Sequence, residues 1–222
     1  MNLEVVPQIY DGTGQASDAC PPVSLLRDLG VLSATERLLS GRLVTTLRGG
    51  ESYNMVYHLG VYNPETGRSS ARMLREKCIV SMGAMIGKAI AEFWRNQDLA
   101  RRGIAVPYAY GVVDASIYMD YIPTDRAAEV LRAIRLSPET DESQAALAQL
   151  IAIAIKLDRA GYRPRDYIRD LLYDGDQERF VYGDTGEDLG DPDPVNKSNV
   201  STLHLLGRFP GLRDLIQEKS QS

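Results

Sequence analysis

The sequence contains few of the residues that build disulfide frameworks and metal sites. Its 222 residues include two cysteines, Cys20 and Cys78, and two histidines, His58 and His204. Two cysteines make neither a disulfide framework nor a structural zinc site, and such sparse use fits a reducing compartment. Two histidines are also too few for a histidine-rich metal centre. These shortages exclude the disulfide-stapled and zinc-finger classes of small protein.

Long apolar runs and an excess of positive charge are also absent. No stretch of 18 or more apolar residues occurs, so no membrane span is predicted. The N-terminal Met1-Asn2-Leu3-Glu4 lacks the basic start of a secretory signal, which predicts a cytoplasmic protein. With 25 basic and 30 acidic residues the net charge is −5, which argues against nucleic-acid binding.

The first part of the chain is dominated by strand patterns. Residues 1–40 are predicted to be a leader followed by a short helix. The helix is predicted to follow from Leu25 and to end at Gly41, and Ser33 and Glu36 form a capping-box pattern. Three β-rich segments joined by two turns then predict an antiparallel meander. These strands cover residues 42–47, 53–62 and 69–79.

A helical period replaces the strand pattern after residue 80. Apolar residues recur at three- and four-residue steps over 80–102, which predicts a helix with Phe93 and Trp94 in the core. Two more strands are predicted at 106–113 and 116–122. Later segments are mainly helical, at 125–134, 142–160, 201–206 and 212–219. This order predicts an α+β protein with two lobes, residues 41–122 and 123–222.

The segment after the long helix concentrates the candidate chemistry. Asp166 lies in a loop, Asp170 precedes a short β-like run, and Asp184 follows a second run. Asp174-Gly175 predicts a hairpin turn between the runs. Three carboxylates at the ends of one hairpin are expected to converge on a divalent cation, and Mg²⁺ prefers carboxylates completed by water and phosphate oxygens.

This segment resembles the catalytic and metal-binding loops of the protein-kinase-like fold. Arg165-Asp166 corresponds to the family's His-Arg-Asp, Asp170-Leu171-Leu172 to Asn-Leu-Leu, and Asp184-Thr185-Gly186 to Asp-Phe-Gly. The resemblance implies that Asp166 orients or deprotonates an acceptor hydroxyl. It also implies that Asp170 and Asp184 hold Mg²⁺ on the phosphates of ATP.

The resemblance extends upstream in element order. Arg48-Gly49-Gly50-Glu51-Ser52 is similar to a glycine-rich phosphate loop, and Met119-Asp120-Tyr121-Ile122-Pro123 to the hinge that docks adenine. Lys77 is expected to bind phosphate, with Arg75 on the same strand face as the alternative. Glu92, among apolar neighbours in the helix, is expected to pair with that lysine.

Several positions depart from the family pattern. Pro164 and Thr185 replace the family's histidine and phenylalanine, and the spacing from Asp166 to Asp170 is one residue short. Only 36 residues follow Gly186, which predicts a truncated C-terminal lobe. The pattern resembles minimal members such as bacterial effector kinases, delivered into host cells without a cleaved signal. It also resembles lipopolysaccharide-core sugar kinases through Arg165-Asp166-Tyr167-Ile168.

Three functions follow from these residues. The first is transfer of the γ-phosphoryl of Mg·ATP to a hydroxyl, with serine or threonine of a protein preferred over a sugar or small molecule. The second is a pseudokinase-like module that binds nucleotide or protein without catalysis. The third is a metal-dependent hydrolase that uses the same aspartates. Structural roles compete with all three, since Asp166 also fits a turn-capping residue.

Overall fold

The structure is a computed structural model that describes residues 20–48, 52–80, 84–123, 125–186, 189–193 and 198–221. The chain divides into two compact units. One comprises the described residues up to Phe93 together with Tyr108–Tyr121. The other comprises Trp94–Pro107 and the described residues from Ile122 onward.

The first unit is built on a five-stranded antiparallel sheet. Its spatial order is β1-β2-β3-β5-β4. Two helices belong to the same part of the sequence, α1 (Val23–Asp28) and α2 (Met85–Arg101). The strands are β1 (Arg37–Arg48), β2 (Ser52–Asn63), β3 (Arg68–Ile79), β4 (Ala109–Val113) and β5 (Ser116–Asp120). The predicted meander is therefore confirmed as β1 to β3.

Each face of this sheet is covered by apolar side chains. On one face, Leu26 of α1 and Leu32 of the following loop pack against the sheet residues Tyr57 and Leu74. On the other, Ala89 of α2 packs with residues of β3, β4 and β5, namely Ile79, Ala109, Ile117 and Met119. Because strand residues alternate between faces, Glu76 belongs to the α1 side and Lys77 to the α2 side.

The short helix predicted from Leu25 is confirmed at its start by α1 (Val23–Asp28), but its predicted end at Gly41 is wrong, because residues 37–41 belong to β1. The capping-box contacts do form: Ser33 N donates to Glu36 Oε2 (2.8 Å), and Glu36 N donates to Ser33 Oγ (3.3 Å). They close a turn that leads into β1. Arg72 on β3 binds the same carboxylate, so a contact distant in sequence selects the strand.

The second unit is mainly helical, with one two-stranded hairpin. Thr140 caps α4, its hydroxyl accepting Ser143 N at 3.2 Å, and Leu150 and Ile151 of α4 lie in the core. The helices are α3 (Asp125–Leu136), α4 (Asp141–Arg159), α5 (Val200–Arg208) and α6 (Arg213–Gln221), with a 3-10 turn at Pro210–Leu212. The hairpin strands are β6 (Leu171–Asp174) and β7 (Arg179–Tyr182).

The predicted α+β class is confirmed, with the antiparallel strands first and most helices after them. Trp94 is an exception within α2, because its side chain is 58% exposed and does not belong to the core. In the described part of the chain, no helix has both the length and the apolar character needed to cross a membrane.

Candidate functional site

Lys77 and Glu92 form a buried ion pair in the first unit. Lys77 Nζ lies 2.6 Å from Glu92 Oε1, and the two side chains are 13% and 5% exposed. Lys77 comes from β3 and Glu92 from α2. Burying charges is costly unless they are paired, so this contact fixes the lysine above the sheet.

Arg75 adds a second cation to the same sheet face. It lies two residues before Lys77, and Arg75 Nε donates to Asn54 Oδ1 at 2.8 Å. Asn54 is in turn the cross-strand partner of Lys77. Both candidates for the phosphate-binding cation therefore belong to one side of the sheet.

The predicted glycine-rich loop lies mostly outside the described residues, which include neither Gly49 nor Gly50. Its last residue, Ser52, begins β2 opposite Ile79 and is 8% exposed.

The predicted hinge begins at the end of β5. Asp120 N donates to Tyr108 O at 2.9 Å, and the Tyr110 hydroxyl donates to Asp120 Oδ1 at 2.7 Å. Tyr121 N then donates to Met73 O at 3.2 Å, which continues the sheet pairing by one bond. Ile122 follows and is half-buried.

Asp166 is an exposed turn residue in the second unit. Its Oδ1 accepts the backbone N–H of Arg169 at 3.2 Å, and its carbonyl accepts the N–H of Asp170 at 3.2 Å. The next residue is held by a side chain, because Tyr167 N donates to His204 Nδ1 at 3.2 Å. The loop geometry therefore depends on α5, which supplies His204.

Asp170 and Asp184 flank the β6–β7 hairpin and lie near one buried phenol. The Tyr182 hydroxyl donates to Asp170 Oδ2 at 3.1 Å, and Gly183 N donates to Asp170 O at 2.8 Å. The pKa of Tyr182 is raised by burial first, and then by the negative charges of Asp170 and Asp184. Tyr182 thus contacts Asp170 directly, whereas Asp184 follows it by two residues in the chain.

The Asp-x-Gly loop gives the Asp184 carboxylate a fixed direction. Asp184 Oδ1 accepts the N–H of Gly186 at 2.9 Å, a contact typical of aspartate turns. Thr185 between them is 1% exposed. Asp184 itself is half-buried and therefore keeps access to solvent.

Asp166, Asp170 and Asp184 were expected to converge on one cation, and the described residues contradict this expectation. Within the ranges the structure describes, no group of three or more His, Cys, Asp or Glu side chains is arranged to hold a metal ion. Asp166 is exposed and is engaged by its own turn. Asp170 and Asp184 stay the predicted magnesium ligands, and two carboxylates are a number that Mg²⁺ commonly takes.

Sequence reasoning missed four residues that organise this site. Tyr182 contacts Asp170. Arg95 contacts the backbone that follows Asp184. Asp158 receives the N–H groups of Ser201 and Thr202 (2.9 and 3.0 Å) and so fixes α5. His204 holds the backbone next to Asp166 by accepting Tyr167 N. The sequence gives no signal for Asp158, because it stands beside Lys156 and Arg159 at the charged end of α4.

No protein-family model and no curated protein matches the sequence. Among solved structures, the chain is similar to the Rio2 kinase–ADP/Mg²⁺–phosphoaspartate complex from Chaetomium thermophilum, with 16% identity and a TM-score of 0.44. The match covers 78% of this chain and 57% of the Rio2 kinase chain, so this chain spans less than two thirds of that protein.

Proposed function

We propose that the protein is an ATP- and Mg²⁺-dependent phosphotransferase that transfers the γ-phosphoryl to a hydroxyl. Lys77, held by Glu92, binds the phosphates. Asp170 and Asp184 hold the magnesium ion, and Asp166 addresses the acceptor. Gly49, Gly50 and Ser52 would cover the phosphates, while Asp120 and Ile122 would contact the base.

The observation that carries this proposal is the ion pair between Lys77 and Glu92 (2.6 Å). The sequence resemblance assigns phosphate binding to a β3 lysine paired with a helix glutamate, and these two residues form that contact. A lysine held in place pays less entropy when it meets an anion. The pair therefore supports a preorganised phosphate site.

The hairpin supports the metal part of the proposal. The Tyr182 hydroxyl donates to Asp170, and Asp184 follows Tyr182 by two residues at the end of the same hairpin. Bound Mg²⁺ would neutralise charge on the phosphate oxygens, which is most of what phosphoryl transfer requires. The protein would supply position: Tyr182 orients Asp170, and Gly186 N orients Asp184.

A protein serine or threonine is the acceptor that we favour. The exposed carboxylate of Asp166 leaves room for a large substrate, because it is not enclosed by neighbouring side chains. A sugar or other small molecule would need more enclosure, as ligand sites of that kind are usually concave. The bacterial-effector alternative depends on the departures from the family pattern, and the sugar-kinase alternative depends on the short motif Arg165-Asp166-Tyr167-Ile168.

Transfer of labelled γ-phosphate tests the proposal. Purified wild type, Asp184→Ala and the matched control Asp176→Ala, a turn residue of the same hairpin, are incubated with Mg²⁺, labelled ATP and separate pools of serine/threonine peptides and sugars. We expect transfer by wild type and the control, and its loss in Asp184→Ala. Equal transfer by all three proteins would remove Asp184 from the mechanism.

A pseudokinase-like binding module is the second candidate function. It is favoured by Asp166, whose carboxylate accepts its own turn's N–H at 3.2 Å. A native-state ligand raises the melting temperature, so a thermal shift with Mg·ATP separates the cases. A shift without any phosphate transfer supports a nucleotide-binding pseudokinase. No shift at millimolar Mg·ATP supports a module that acts by protein contact.

A further inference from the structure

Arg95 holds the backbone that follows Asp184. Arg95 Nη1 donates to the carbonyl oxygens of Thr185 (3.5 Å) and Gly186 (3.3 Å), and Arg95 Nε lies 2.9 Å from Asp191 Oδ1. Thr185 and Gly186 immediately follow Asp184, whereas Asp191 lies five residues beyond Gly186. One guanidinium thus connects both ends of the loop 185–191.

This loop is rich in negative charge, which a cation from another element can balance. Residues 184–193 contain five carboxylates and no basic side chain: Asp184, Glu187, Asp188, Asp191 and Asp193. Like charges this close together oppose an ordered loop. Arg95 comes from α2, about ninety residues earlier, and its side chain is 13% exposed. Arginine stays charged and presents a rigid fork of donors, which suits two carbonyls and a carboxylate together.

Gly186 forms hydrogen bonds with both Arg95 and the Asp184 carboxylate. The Gly186 N–H donates to Asp184 Oδ1 at 2.9 Å. The Gly186 carbonyl accepts Arg95 Nη1 at 3.3 Å and Leu189 N at 3.3 Å. A shift of Gly186 would therefore move the donor that orients Asp184.

We propose that Arg95 is a positioning residue, which orders the Thr185-Gly186 backbone and thereby sets the Asp184 carboxylate for a divalent cation. The inference rests on the proposed function, because it takes Asp184 as a magnesium ligand. Arg95 itself touches neither metal nor substrate in this assignment. Its loss should weaken binding of the metal more than binding of ATP.

The test compares Arg95→Gln and Arg95→Lys with Asp191→Asn and the control Arg101→Gln. Arg101 lies on the same helix, and its side chain is 69% exposed. The first readout is backbone hydrogen exchange of peptides spanning 183–193 in the protein without nucleotide. The second is a calorimetric titration of Mg²⁺ at saturating ATP.

We expect Arg95→Gln to speed exchange of this segment about tenfold or more and to weaken Mg²⁺ binding by a similar factor, the equivalent of losing about 1.4 kcal/mol of local order. Arg95→Lys keeps the charge without the fork and should be intermediate. Asp191→Asn should change either quantity less than about threefold, since Asp191 is 82% exposed and exposed pairs contribute little. Arg101→Gln should match wild type.

Two outcomes separate the inference from the proposed function. Wild-type exchange and Mg²⁺ affinity in Arg95→Gln, with Mg·ATP binding intact, would overturn the role of Arg95 alone. Absence of Mg²⁺-dependent ATP binding in wild type would overturn the proposed function and the metal role of Arg95 with it. If Arg95→Gln does not fold, Arg95→Lys carries the test, and wild-type values in that variant would overturn the inference.

Discussion

Lys77 and Glu92 pair across β3 and α2 at 2.6 Å, and both side chains are largely removed from water. Such a pair is a poor source of stability, because desolvation cancels much of the attraction. It is, however, a precise way to hold a cation over a sheet face.

Replacing one member of this pair should be more harmful than replacing both. We expect Lys77→Met and Glu92→Leu each to lower the free energy of unfolding by about 3–5 kcal/mol, because each takes the opposite charge of a buried ion pair away from its partner. The double variant Lys77→Met/Glu92→Leu should recover most of that stability and still fail to bind Mg·ATP. Urea denaturation and calorimetry measure the two properties, and normal Mg·ATP binding by the stable double variant would contradict the account.

Two buried tyrosines allow a matched comparison beside the hairpin. Tyr182 donates to Asp170, whereas Tyr167 donates to the Leu150 carbonyl at 2.5 Å, and their rings stack with centroids 6.5 Å apart. Tyr182→Phe and Tyr167→Phe should each cost about 0.5–1.5 kcal/mol, because each removes one hydrogen bond made by a buried phenol.

Only Tyr182→Phe should also change the Mg²⁺ concentration required for ATP binding, because only it releases a proposed metal ligand. Urea denaturation and a Mg²⁺ titration give the two measurements. An equal Mg²⁺ requirement in both variants would exclude a metal-site role for the Tyr182 hydroxyl.

Gly161 ends α4 in a conformation that other residues avoid. Its φ is +82°, and a Cβ built there would lie 2.1 Å from the Asp193 carbonyl oxygen. Gly190 also has a positive φ, +69°, but a Cβ there meets nothing within 4 Å. Gly190→Ala should therefore cost about 1–2 kcal/mol from backbone strain alone. Gly161→Ala should cost about 3 kcal/mol or more, since it adds a clash with backbone. Equal thermal destabilisation of the two variants would contradict the close approach.

Glu76 makes the first unit sensitive to pH. It is 4% exposed and accepts Tyr57 Oη (3.1 Å) and Ser116 Oγ (2.9 Å). Burial raises the pKa of its carboxyl group, even though hydrogen bonds from Ser116, Tyr57 and Tyr118 lower it. The folded state therefore holds this proton to higher pH than the unfolded state, and stability falls as pH rises above the ordinary glutamate pKa of about 4.3.

The variant Glu76→Gln removes this titration. Its stability relative to wild type should therefore improve as the pH rises above about 4.3, the ordinary glutamate pKa, which urea denaturation at several pH values would show. Asp176→Asn, at an exposed turn, serves as the control and should give a constant difference from wild type. A constant difference in Glu76→Gln as well would contradict the raised pKa.

Much of the fold could be predicted from local sequence patterns. The alternation in β2 and the turn at Asn63, whose Oδ1 accepts Glu65 N and Thr66 N, depend on neighbouring residues. The period of α4 likewise reflects one apolar face along a single helix. By contrast, Ser33 and Glu36 form their predicted contacts but lead into a strand, because Arg72 completes the site from 36 residues away. Local pattern does not encode that partner.

In the candidate site, too, some residues could be predicted from the sequence and others could not. Lys77 and Glu92 could be selected because lysines are few in the first half and because a carboxylate among apolar residues needs a partner. Arg95 could not be selected, since its partners lie about ninety residues away. Asp166 remains a prediction in its catalytic role, and its local turn explains why sequence alone left a capping role open.

Calorimetric titration of ATP in the presence and absence of Mg²⁺ tests the central claim most directly. Wild type, Asp170→Asn, Asp184→Asn and the control Asp176→Asn are compared under the same conditions. The account predicts Mg²⁺-dependent binding by wild type and the control, and at least about a tenfold loss, equivalent to 1.4 kcal/mol, in each of the other two. Undiminished Mg²⁺-dependent binding in both Asp170→Asn and Asp184→Asn would contradict it.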